Sequence, residues 1–111
     1  MFNTEKLKIQ WSPREAEILE KTVAIIERRL APHKIHLFGS RAKLRNAGGS
    51  DFDLAVDIPA PDVRTKRMLM EEIEEIAGLY SVDVVYLGSA DDDFKELVLK
   101  TAEVIYEKDG D

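Results

Sequence analysis

Cysteine is absent from the 111 residues, which excludes disulfides and thiolate metal sites. Histidine occurs only twice, at His33 and His36. Two imidazoles without further nitrogen or sulfur ligands nearby read as ordinary strand-flanking residues rather than a zinc centre. No run approaches the roughly 18 apolar residues of a membrane span. The opening segment, MFNTEKLKIQW, lacks the basic-then-apolar layout of a secretion leader. A soluble, cytoplasmic protein is expected. Basic residues are also in deficit: 16 Lys and Arg against 22 Asp and Glu give a net charge of −6. Such a domain has no broad electrostatic pull on nucleic acid, so extended nucleic-acid binding is not expected. Acidity does not exclude a nucleotide, because divalent cations can neutralise carboxylates and phosphates together. Repeats, linkers and low-complexity segments are lacking too, and the length leads us to expect one domain over residues 1–111. Hydrophobic residues make up 44%, enough for a core. Phe2 and Trp11 would cover either that core or a partner.

What is present has clear punctuation. Ser12-Pro13-Arg14-Glu15 reads as a helix start, with a capping serine, proline at the first position and glutamate to complete a capping box. Ala16, Leu19, Val23, Ile26 and Leu30 form one apolar stripe. Arg28 and Arg29 suit the helix's negative end, and Pro32 stops it. Lys34 to Phe38 reads as a short strand, and Arg41 to Arg45 as one or two helical turns before an Asn-Ala-Gly-Gly loop. From Asp51 to Ile58 the pattern alternates: Phe52, Leu54, Val56 and Ile58 face one way, Asp51, Asp53, Ala55 and Asp57 the other. Asp62 caps a second helix to about Ala77, followed by Gly78. Ser81 to Leu87 is a Val-rich strand. Asp91-Asp92-Asp93 introduce a third helix with Phe94, Leu97 and Val98 inward, and Val104 to Tyr106 closes as an edge strand. The helix-bearing crossover implies that the second and third strands are parallel. The first two, closely connected, are expected to be antiparallel. The fold class is α/β (α+β), a small mixed sheet with helices mainly on one face.

The chemistry concentrates in Gly39-Ser40, a spacer of ten, and Asp51-Phe52-Asp53. Aspartates at i and i+2 on a strand share a face with α-carbons about 6.6 Å apart. Their carboxylates can converge on two cations roughly 3.5–4 Å apart. Carboxylate oxygens are hard ligands of the kind Mg²⁺ takes alongside phosphate oxygens. Asp83, in the otherwise apolar Val82-Asp83-Val84-Val85-Tyr86, adds a third; buried and unpaired it would cost several kcal/mol. It shares the face of Asp51 and Asp53 if the third strand lies beside the second. Gly39 lets the backbone approach a ligand closely, and amides at a helix start favour phosphate. The Ser40 hydroxyl and the Arg41 guanidinium can add donors, and Lys43 and Arg45 lie close by in sequence. Asp57, at the strand end, reads as solvated, Asp91 to Asp93 as helix caps, and Glu71, Glu72, Glu74 and Glu75 as a wet helix face.

Gly39-Ser40, the ten-residue spacer, Asp51-x-Asp53 and the later Asp83 resemble the signature of the polymerase-β-like nucleotidyltransferase superfamily. The length and layout resemble its minimal members, including the antitoxin half of HEPN–MNT toxin–antitoxin pairs. The resemblance runs from about residue 15 to 107 and implies a polymerase-β palm-like fold, Mg²⁺ dependence and a nucleoside triphosphate, ATP by preference. It implies that Asp51 and Asp53 hold two Mg²⁺ ions. Asp83 would ligate the catalytic one and help to deprotonate the attacking hydroxyl, with Gly39, Ser40 and Arg41 at the nucleotide. AMP would pass to a hydroxyl of a partner protein or small molecule. Larger members carry extra lobes for the acceptor, so a homodimer or a HEPN-type helical partner is expected to complete the cleft. The alternative is a non-catalytic antitoxin that neutralises such a partner by contact.

Overall fold

A computed structural model describes residues 12–38 and 51–108. The order is α1 (Pro13–Leu30), β1 (Lys34–Phe38), β2 (Asp51–Val56), α2 (Val63–Ala77), β3 (Ser81–Tyr86), a 3₁₀ turn (Leu87–Ser89), α3 (Asp92–Thr101) and β4 (Glu103–Glu107). The sheet runs β3-β2-β1-β4. β2 pairs with β3 in parallel, while β1 pairs antiparallel with both β2 and β4. The expected mixed sheet, its strand directions and the closing edge strand are all present.

Local signals explain the helix starts. The Glu15 amide donates to Ser12 Oγ at 3.1 Å, and the Ser12 amide donates to Glu15 Oε1 at 3.0 Å, a complete capping box. Asp62 Oδ1 accepts from the Thr65 amide at 2.7 Å to open α2. At its other end α1 stops on Ala31, whose left-handed φ of 49° turns the chain before Pro32. α2 stops on Gly78, where φ 63° and ψ −116° form a turn that glycine tolerates best.

The larger core lies between α1, α2 and one sheet face. Phe52, Leu54 and Val56 of β2 and Ile35 and Leu37 of β1 are fully buried there with Ile18, Leu19, Val23, Ile26, Leu69 and Ile73. The buried stripe of α1 is wider than the sequence spacing implies, because Ile18, Thr22 and Ile25 are also covered. Two of the three described helices thus share one face. α3 covers only one end of the opposite face, where Ala55, Leu87 and Val98 form a small cluster with Phe38, Val85, Phe94 and Ala102. Leu97, expected inward, is 58% exposed. The contact stripe of α3 is narrow, following Phe94, Val98 and Ala102 at successive steps of four.

Among the described residues, no helix is long and apolar enough to cross a membrane.

Candidate active site

β2 positions the acidic row. Its even residues are anchored in the larger core, so alternation puts Asp51, Asp53 and Ala55 on the opposite face. Asp53 stands in the middle of three adjacent strands. It is in register with Phe38 of β1 on one side and with Asp83 of β3 on the other. Adjacent strands lie about 4.8 Å apart, so the Asp53 and Asp83 carboxylates rise from neighbouring points of one face. Asp53 is half-buried and Asp83 exposed. The desolvation cost expected at Asp83 therefore does not arise, because that position lies on an open part of the edge strand. For Asp51 the backbone alone is described; it is in register with Ser81 and opens the strand on the same face.

Gly39, Ser40 and Arg41 lie outside the described residues, as do Lys43, Arg45, Phe2 and Trp11. Phe38, directly before Gly39 in the chain, is half-buried and meets Phe94 of α3 edge to face, with ring centroids 6.2 Å apart. The pair belongs to the small cluster under α3, and Phe38 is at the same time the β1 neighbour of Asp53. Sequence reasoning placed Phe38 and Phe94 in elements but did not bring them together, because their contact depends on how α3 returns across the sheet.

The other candidates resolve into structural roles. Asp91 Oδ1 accepts from the Phe94 amide at 2.8 Å, which is the capping role expected for that run. Asp57 is not simply solvated: its Oδ1 accepts from the His33 amide at 3.0 Å and ties the end of β2 to the start of β1. Glu72 departs from the wet-face expectation, since it pairs with both Arg28 and Arg29 of α1, the latter through Nε at 2.6 Å. Those guanidiniums hold its carboxyl below the usual range. His36 is buried in β1, in register with Ala55. Among the described residues, no group of three His, Asp or Glu side chains is gathered as a metal site. The third carboxylate expected beside Asp53 and Asp83 belongs to Asp51, whose side chain is not described.

Comparison with known proteins decides the affiliation. Residues 20–111 match the family described as polymerase beta, nucleotidyltransferase. The chain belongs to this nucleotidyltransferase family. It is an enzyme of the transferase class, and its mixed sheet is the family's fold. A relative from Haemophilus influenzae, the probable protein adenylyltransferase MntA, is 29% identical over 96 residues, covering 86% of this chain and 84% of the relative. Among solved structures, a toxin–antitoxin complex with AMP-PNP superposes with a TM-score of 0.63 at 25% identity, over 81% of this chain and 74% of that one. A tri-AMPylated Shewanella oneidensis HEPN toxin in complex with MNT antitoxin gives 0.63 at 22% identity, over 86% and 73%. At that identity the second likeness speaks to the fold family members share.

Proposed function

We propose that this nucleotidyltransferase transfers AMP from ATP, with Mg²⁺, to a hydroxyl on a HEPN-type partner protein in the cytoplasm. The observation that carries the reading is the registered pair Asp53–Asp83 on adjacent parallel strands, within a fold whose family moves nucleotides. The similar proteins favour the adenylyl group and a protein acceptor: one is a probable protein adenylyltransferase, one is a complex with AMP-PNP, and one contains an AMPylated HEPN toxin.

The donor set suits the metal. Hard carboxylate oxygens rising from neighbouring strands match what Mg²⁺ accepts, and the chain has no cysteine to supply a thiolate. Asp51, Asp53 and Asp83 would hold two ions, which supply charge neutralisation for the α-phosphate and for departing pyrophosphate. The remaining work falls to the chain. Gly39, Ser40 and Arg41 bind and orient the phosphates. Asp83, which is exposed at the sheet edge, would take the proton as the acceptor oxygen attacks the α-phosphorus and the bond to the bridging β-phosphate oxygen breaks.

The test is label transferred from α-³²P-ATP to a HEPN-type partner. Asp53→Ala is expected to abolish transfer. Asp57→Ala should retain transfer while melting earlier, because it frees the β1–β2 tie to His33. Equal transfer by wild type and Asp53→Ala would sink the catalytic reading and leave neutralisation by contact.

A further inference from the structure

β3 is the outer strand of the sheet, and no strand among the described residues pairs with its free edge. Along that edge runs a groove of about 480 Å³ between the C-terminal half of α2 and the first half of β3. Met70, Glu74, Leu79, Tyr80, Ser81 and Asp83 line it. Leu79 is 99% exposed, an aliphatic side chain with no cover of its own. The carboxylates of Glu74 and Asp83 make no ion pair among the described residues. The Arg14 guanidinium lies beside Gly78, which also lines the groove, and is committed to Glu17 at 3.0 Å and to the Ile76 carbonyl at 2.7 Å. One end of the groove is thus Asp83 itself, a member of the carboxylate pair.

We propose that this groove seats an extended segment of a partner protein that carries both a basic residue and the acceptor hydroxyl. The inference rests on the catalytic reading above for the role of Asp83, and adds where the acceptor lies. Three features argue for it. A free strand edge offers main-chain hydrogen bonds that an added strand can use, with alternate side chains directed to pockets. From Leu79 to Asp83 the chain rises at most about 13 Å, room for about four extended residues. A side chain at the Asp83 end therefore enters the carboxylate site while another covers Leu79. The charge favours lysine or arginine near Glu74, because the groove is acidic and the whole chain carries −6. The same charge disfavours a polynucleotide at this edge.

Binding can be tested without metal or ATP, which separates this proposal from the catalytic one. The probe is a fluorescein-labelled peptide alternating lysine with valine and tyrosine, with a glutamate-for-lysine peptide as control. Fluorescence anisotropy with the full chain should show binding of the lysine peptide only, weakening with salt. Glu74→Lys and Leu79→Asp, both at exposed positions, should each weaken it by about ten-fold or more with the melting temperature held. In the AMP-transfer assay the same variants should raise KM for the protein acceptor while leaving affinity for a fluorescent ATP analogue unchanged. Equal binding by wild type and both variants, or no binding at all, overturns the groove. Binding seen only after removal of residues 2–11 assigns it to the chain's own N-terminal segment and also overturns the proposal. Peptide binding with no AMP transfer under any condition would reject the catalytic reading and leave the docking edge standing.

Discussion

Single side chains in this domain carry opposing costs that can be separated by experiment. Thr22 lies on the buried face of α1, and its Oγ1 is without a hydrogen-bond partner among the described residues. An unsatisfied buried hydroxyl costs on the order of 1–3 kcal/mol, whereas a methyl of the same shape costs nothing in desolvation. Thr22→Val is expected to raise stability by about 1–2 kcal/mol in urea titrations, with an unchanged slope on denaturant. His36 gives a pH dependence. Burial, and next the Lys34 ammonium, push its pKa below the ordinary 6.5, against a weaker pull from Asp57. The unfolded chain then takes up a proton at a pH where the folded chain does not. Stability therefore falls as pH drops below about 6.5, and the loss continues down to the depressed folded value. Urea midpoints measured from about pH 8 to pH 5.5 should decline, and His36→Gln should flatten that decline. The lowered Glu72 carboxyl acts in a different window: its contribution is present above the ordinary 4.5 and lost below it. A decline confined to pH values under 4.5 would mean that His36 is not the group responsible.

At the scale of elements, what was legible in the sequence was what neighbours in the chain decide. Ser12 and Glu15 are three residues apart, so their reciprocal capping could be read directly. The strand directions followed from connection lengths, and the shared face of Asp53 and Asp83 followed once β3 was set beside β2. Contacts between distant segments were not legible. Nothing within α2 distinguishes Glu72 from Glu71 or Glu75, because its partners Arg28 and Arg29 lie more than forty residues away on α1. Leu97 fits an inward spacing in α3 and is still exposed, because that helix overhangs the small cluster around Val98. The turn after β3 is another such case. The Gly88 amide donates to the Ile58 carbonyl at 3.0 Å, and a Cβ on Gly88 would stand 2.4 Å from the Pro59 nitrogen and 2.6 Å from the Ile58 carbonyl carbon. These are backbone atoms of the Ile58–Pro59 segment, which cannot swing away as a flexible side chain would. Gly88→Ala should cost about 1–3 kcal/mol, and more if the turn cannot shift. Thermal unfolding should drop by roughly 4–8 °C per kcal/mol. An unchanged melting temperature would mean that the Ile58–Pro59 segment gives way freely.

For the whole molecule, charge is the quantity that ties stability to activity. The chain carries −6, and the folded sheet brings Asp53 and Asp83 into register on one face, with Asp51 opening the same strand. Folding therefore concentrates like charge that the unfolded chain keeps apart, and a divalent cation that binds only the folded site must stabilise it by mass action. At a free concentration one hundred times its Kd the gain is about 2.7 kcal/mol. For a domain near 100 residues this corresponds to a rise on the order of 10 °C in melting temperature. General screening of −6 by salt would also raise the melting temperature, so Mg²⁺ and Mn²⁺ have to be compared with NaCl at matched ionic strength. The specific part should vanish in Asp53→Asn and Asp83→Asn. Asp83→Asn, at the exposed edge position, should also start from a higher metal-free melting temperature than wild type, because it removes one of the like charges on that face. Two measured signs thus have to move in opposite directions in the same variant: metal-free stability up, metal response down. An Asp83→Asn protein that lost the metal response and also melted earlier without metal would point to general damage to the fold rather than to a carboxylate site. Identical responses in wild type and both variants would place the cation elsewhere on the acidic surface.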